Sequence, residues 1–112
     1  MYFTENQIKA ILRLAHEMVN ADGRVTFEEV MVLAQESVYL KIPKEKHDQL
    51  LTESVNMSQG NAISIISDMN NEQKQHVSGF LASLMFADGY PDDSEMKLWR
   101  FVCSMASIPS LY

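Results

Sequence analysis

Four carboxylates, Asp22, Glu29, Asp88 and Glu95, stand in two equivalent settings 66 residues apart. Ala21-Asp22-Gly23 returns as Ala87-Asp88-Gly89, and the Glu seven residues after each Asp returns with it. Hard carboxylate oxygens around a polar turn suit Ca²⁺ or Mg²⁺ rather than Zn²⁺. The second copy, with Asp88, Asp92, Asp93 and Glu95 within eight residues, is the more acidic. Asp22 and Asp88 each follow a helical pattern at its carboxyl end, where the helix dipole disfavours negative charge by about 0.3–1 kcal/mol. That placement, made twice, marks all four residues as candidate cation ligands.

A second reading of the same residues needs no ligand. Thr26-Phe27-Glu28-Glu29 and Asp92-Asp93-Ser94-Glu95 are capping boxes, in which the Glu bonds back to the N-cap N–H. Gly23 and Gly89 suit the ends of helices, and Asp22 and Asp88 can accept N–H groups within their own turns. An EF-hand is a third comparison. With Gly23 at loop position six, Glu29 falls at twelve. Position one is then Met18, and in the second copy positions one and three are Leu84 and Phe86. The acidic signature of that loop fails in both copies.

The elements that must position these turns are helices. Ile8, Ile11, Leu12, Ala15, Met18 and Val19 recur at helical spacing, with Thr4 and Gln7 as a capping box. A second helix opens at Thr26, with Val25 and Val30 placed as a hydrophobic staple and Val30, Leu33, Ala34 and Val38 as its buried face. Ile42-Pro43 closes it, since the residue before a proline avoids helical angles. Pro43 opens a helix with Leu50, Leu51 and Val55 as a short apolar face, and residues 61–69 hold another. Asn70-Asn71-Glu72-Gln73 starts a long helix carrying Val77, Phe80, Leu81, Leu84 and Met85, stopped by Gly89. The last helix starts at Asp92 and turns Met96, Trp99, Val102, Cys103 and Ala106 inward. Ile42-Pro43 returns as Ile108-Pro109 at the same offset, and Leu14, Ile11, Met18 and Val19 correspond to Phe80, Val77, Leu84 and Met85. The expected architecture is all-α: one domain over residues 1–112, about six helices, built from two pseudo-symmetric helical hairpins at about 7–42 and 73–108.

Composition narrows function by exclusion. A chain of 112 residues, 46% of them apolar, can bury one core without disulfides or a structural metal. A net charge of −6, with nine scattered Lys and Arg, argues against nucleic acid and against anionic membrane surfaces. No run of apolar residues is long enough for a membrane span, and no secretory or transit signal is apparent. The lone Cys103 cannot form an intrachain disulfide, which suits a reducing cytoplasm. Eight Met fall mostly at core spacing, where they give adaptable packing. His16, His47 and His76 share no metal-ligand spacing: His16 with Glu17 and His47 with Asp48 read as surface pairs, and His76 lies beside an apolar face. Cys103 aligns with Ser37 and Trp99 with Leu33, both as core positions. No nucleophile–base arrangement and no phosphate-cradling glycine loop is present, so an enzyme is not expected.

An apolar helix ending in Ala-Asp-Gly, a Glu six residues after the Gly, and a helix ending before Ile-Pro together resemble the TerB-like family. Here these are Met18 through Glu29 and then Ile42-Pro43, and again Met85 through Glu95 and then Ile108-Pro109. The resemblance covers nearly the whole chain. That family includes the tellurite-resistance protein TerB and the N-terminal region of the DjlA co-chaperones. The resemblance implies an all-helical, internally symmetric module, with Asp22, Glu29, Asp88 and Glu95 at the family's acidic, metal-proposed positions, and a link to stress or metal response. Asn20 and Phe86 precede the triplets without being acidic, and no His-Pro-Asp triplet is present, so a J-domain's action on a chaperone is not implied. The expected function is a cytoplasmic, non-enzymatic interaction module with a divalent-cation site at the Asp-Gly loops. The alternatives are a degenerate calcium sensor or a purely structural interaction domain. Ser110-Leu111-Tyr112 ends where the first copy continues into another helix, which would leave apolar surface for a protein partner or a homodimer.

Overall fold

The computed structural model describes residues 2–20, 26–87, 89 and 91–109. Six α-helices follow one another: α1 Glu5–Val19, α2 Phe27–Tyr39, α3 His47–Asn56, α4 Gln59–Ser67, α5 Asn71–Met85 and α6 Asp93–Ala106, with a 3₁₀ turn at Lys44–Lys46 before α3. Among the described residues there is no strand. The radius of gyration is 12.8 Å, close to the roughly 13 Å of a compact chain of this length.

The helices begin where their caps stand. Thr4 with Gln7, Thr26 with Glu29, Asn70 with Gln73 and Asp92 with Glu95 all form two-way capping boxes. The first and third, and likewise the second and fourth, are 66 residues apart, so the repeated chain carries repeated start signals. Each box satisfies two orphan backbone donors and is worth on the order of 1 kcal/mol.

The stops repeat too. Lys41 and Ser107 both take left-handed angles at φ 57, again 66 apart. Beyond them Ile42 N–H donates to Ser37 O at 3.2 Å, and Ile108 N–H to Cys103 O at 3.0 Å. These six-to-one bonds, with the five-to-two bonds Lys41 to Val38 and Ser107 to Ser104, make two Schellman motifs. Ile-Pro therefore has a physical role in both halves. The Ile closes the motif and packs against the core, and the Pro prevents the helix from resuming. Gly89 works differently from the expectation that it stops α5. The helix ends at Met85, and Gly89, at φ 120, lies in the turn beyond it.

The halves meet through counterpart helices. α1 packs against α5, its own counterpart, and the capping glutamines meet, Gln73 Nε2 donating to Gln7 Oε1 at 3.4 Å. Gln73 Nε2 also donates to Tyr2 O at 2.7 Å, and the buried Ser78 hydroxyl donates to Pro109 O. α1 is buried along Ile8, Ala10, Ile11, Leu12, Leu14, Ala15, Met18 and Val19, and α3 and α4 cover the sides that α5 leaves open.

The halves differ in their second helices. α6 packs on α4 and α5 and buries Trp99 completely, together with Val102, Cys103 and Ala106. α2 makes its main contact with α5 rather than with α1, its neighbour in sequence. Its expected buried face is not buried. Val30, Ala34 and Val38 are exposed, Val38 at 79%, and Leu33 is only partly covered. The buried residues of α2 are Glu29 and Glu36. In α3, Leu50 is buried as expected, whereas Leu51 and Val55 are exposed. Val25, the other half of the expected staple, lies outside the described residues.

Because an L-residue pays about 1–2 kcal/mol for left-handed angles that Gly adopts freely, Lys41→Gly and Ser107→Gly should each stabilise the chain by up to about 1 kcal/mol in urea unfolding. Equal gains are expected at the two positions. A loss at either would contradict the shared Schellman geometry.

Candidate functional site: the Asp-Gly turns and the α2 face

The acidic candidates divide by what surrounds them. Glu29 and Glu95 are both buried, at 3% and 5% exposure. Glu29 Oε1 accepts the Thr26 N–H at 2.8 Å, and Glu95 Oε1 accepts the Asp92 N–H at 3.3 Å. Each sits in the first turn of its helix, where the dipole favours a negative charge. Backbone hydrogen bonding thus accounts for one oxygen of each carboxylate. Asp22, with Gly23, and Asp88 lie outside the described residues. Asp92 is the α6 N-cap, accepting the Glu95 N–H at 2.9 Å and the Ser94 hydroxyl at 2.8 Å. Among the described residues no three His, Cys, Asp or Glu side chains come together as a metal-binding group.

A different pair emerges between α2 and α5. His76 Nε2 lies 2.8 Å from Glu36 Oε2, and the Tyr39 ring stacks on the imidazole at 4.2 Å. Phe3 closes on the same imidazole from the N-terminal segment at 5.7 Å. Burial pushes the Glu36 carboxyl above its ordinary range, and the bond to His76 opposes that rise only in part. A cavity of about 590 Å³ opens beside the pair, between Val32, Gln75, Phe80 and Ser83. The Ser83 hydroxyl donates to Gly79 O at 2.9 Å, so it is engaged with its own helix rather than with the pair. The arrangement clamps α2 to α5. Sequence reading missed Glu36; the signal is available at its counterpart, since Val102 and Ala10 occupy the positions of Glu36 and His76 in the other half.

The outward side of α2 is the larger feature. Phe27, Val30, Met31 and Val38 are exposed large apolar residues at helical spacing, with the small Ala34 among them. Beside them a groove of about 440 Å³ runs between α2, α1 and α3, lined by Leu12, Val30, Leu33, Ala34, Ser37 and Leu51. Ser37 Oγ donates to Leu33 O at 3.1 Å and lies 3.2 Å from His47 Nε2, which places His47 against α2 rather than in a surface pair with Asp48. The remaining walls are apolar.

This geometry has a relative among solved structures. The chain is similar to the crystal structure of a protein of unknown function, PG1108, from Porphyromonas gingivalis W83, with a TM-score of 0.84, 31% sequence identity, and coverage of 99% of this chain and 90% of that one. The chain belongs to the family of that protein. No family model and no curated protein matches the chain. The family relationship spans α1 to α6 and brings no activity with it.

Other candidate side chains are accounted for by the fold. Burial raises the Cys103 thiol to about 11, which keeps it a protonated core residue. Trp99 is core, as expected, whereas its counterpart Leu33, also expected there, is only partly covered. No helix of the described residues is long and apolar enough to cross a membrane. Ser110, Leu111 and Tyr112, and the apolar surface expected of that terminus, lie outside the described residues.

Two measurements separate capping from ligation and test the clamp. Glu29→Gln keeps an acceptor for the Thr26 N–H, whereas Glu29→Ala removes it and should cost about 0.5–2 kcal/mol. If Glu29 acts only as a cap, adding Ca²⁺ or Mg²⁺ will not change that ranking in thermal melts. A metal-dependent rise of melting temperature in wild type, absent in Glu29→Gln and in Asp22→Asn/Asp88→Asn, would establish ligation instead. For Glu36, the raised carboxyl means that the folded chain holds this proton more tightly than the unfolded one. Its contribution to stability is full below the ordinary value of 4.5 and is lost as pH rises through the raised value. Relative to wild type, Glu36→Gln should therefore become progressively more stable from pH 4.5 towards neutrality, read by urea unfolding across pH. Parallel curves would contradict it.

Proposed function

We propose that the protein is a non-enzymatic, TerB-like interaction module that holds a protein partner on the outward face of α2 and the groove beside it. One observation carries this reading, the comparison of α2 with its own repeat. At the positions of Phe27, Met31, Ala34 and Val38, α6 has Asp93, Lys97, Arg100 and Ser104, all exposed. These four positions are thus polar and solvated in one half and apolar in the other, although α6 also exposes Phe101 and Met105, at the positions of Gln35 and Tyr39. Foldability alone does not call for the apolar version, because the polar version folds beside it. Fully covering a Phe, Val or Met side chain contributes about 1.5–3 kcal/mol, and a row of them at helical spacing is the usual anchor of helix-mediated recognition. The low charge of this face, on a chain of net charge −6, also suits a protein surface better than a nucleic acid. A cation at the two Asp-Gly turns and a place in stress or metal response remain part of the TerB-like reading.

Met31→Glu/Val38→Glu changes only exposed side chains, so folding should be altered by no more than about 0.5 kcal/mol per site. Isolation of the tagged chain from its native cells should yield a stoichiometric associate with wild type and lose it with the double variant. An associate retained by the double variant would overturn this assignment of the contact surface.

A further inference from the structure

We infer that the α2 face pairs with a second copy of itself, as an antiparallel helix pair across a twofold axis near Ala34. This rests on the interaction reading above and names its partner.

The face is chemically self-complementary. Phe27, Val30, Met31, Ala34 and Val38 include no charged residue, so two copies meet there without like-charge contact despite a net charge of −6 on each. The charges stand at the ends. Glu28 is exposed at the amino end of α2, and Lys41 is exposed just past its carboxyl end. A parallel pair would set Glu28 beside Glu28 and Lys41 beside Lys41. An antiparallel pair crossing between Ala34 and Gln35 sets the Glu28 end of each α2 beside the end of the other that leads into Lys41, and Met31 opposite Val38. It also opposes the two helix dipoles favourably. Ala34, the smallest residue of the face, then lies at the crossing, where a small side chain lets helix axes approach towards the roughly 8 Å end of their usual 8–10 Å separation. Such a contact is isologous: each copy presents the same patch, and the assembly closes at two. Tyr39, half exposed beside the stripe, adds an amphipathic edge. A partner of different sequence would need a matching uncharged stripe with opposite charges at matching ends; a second copy carries both already.

Sedimentation equilibrium of the purified full chain, over micromolar to millimolar concentrations, should show a reversible monomer–dimer equilibrium with no higher species. Met31→Glu should weaken it by about tenfold or more, since it buries an unpaired carboxylate against Val38 of the other copy. Glu28→Lys and Lys41→Glu should each weaken it, and the double charge swap should restore it, which tests the antiparallel register directly. Ala34→Cys should form a disulfide dimer on mild oxidation, and Glu28→Cys should not. Circular dichroism of each variant checks that the helices are intact. A wild-type chain that stays monomeric throughout, a dimer indifferent to Met31→Glu, or a charge swap that fails to restore pairing overturns the inference. A monomeric chain whose cellular associate is still lost in Met31→Glu/Val38→Glu overturns self-pairing and leaves the interaction reading standing. A chain that is monomeric and keeps its associate in that variant overturns both.

Discussion

The need to cover α1 governs the rest of the molecule. Its buried residues lie on more than one side of the helix, from Ile8 to Val19, and a helix of that kind must be surrounded. Its counterpart α5 covers one side, and α3 and α4 wrap the others. Arg13 on α1 reinforces the wrap, its Nε donating to Met57 O, between α3 and α4, at 2.7 Å. With α1 so occupied, α2 makes its main contact on α5. The position of α2, and with it the exposure of its apolar side, follows from the burial demand of a different helix.

The two halves therefore share a local code and differ in packing. Start signals, left-handed stops and Ile-Pro endings recur at the same offset because each is satisfied within a few residues of chain. Burial is not a local property. Trp99 is sealed in the core where Leu33 only edges a groove, and Val102 is apolar and buried where Glu36 is buried through its bond to His76. A carboxylate inside the α2–α5 contact costs desolvation that a Val would not. The offsetting hydrogen bond makes that contact directional, and α2 is held in one orientation with its stripe outward.

Much of this was legible in the residues. Thr4, Thr26, Asn70 and Asp92 announced four helix starts, because a capping box involves only side chains and backbone three residues apart. Trp99 and Cys103 were legible as core because their faces are continuous with neighbouring apolar positions. The left-handed stops were harder to see, because Lys41 and Ser107 stand where glycine is the usual sign. Glu36 and His76 could be seen only as two polar departures from their apolar counterparts Val102 and Ala10, and nothing local says that they meet. Forty residues separate them, and only the packing of α2 on α5 brings them together. Of the acidic candidates, Glu29 and Glu95 could be read in advance as caps, and the structure places them there.

The sequence by itself determined which segments are helical, where the four helices with capping boxes begin, and which residues share a face of each helix; α3, expected to open at Pro43, starts only at His47, after a 3₁₀ turn. These follow from interactions of short reach, set by the 3.6-residue period and by caps and turns. Whether a face is covered depended on everything else in the chain. Val30, Leu33, Ala34 and Val38 do share a side of α2, as their spacing says, but periodicity carries no information about which side meets the core. Only the competition among helices for α1 and α5 decided that α2 would turn Glu29 and Glu36 inward and leave its apolar stripe to solvent.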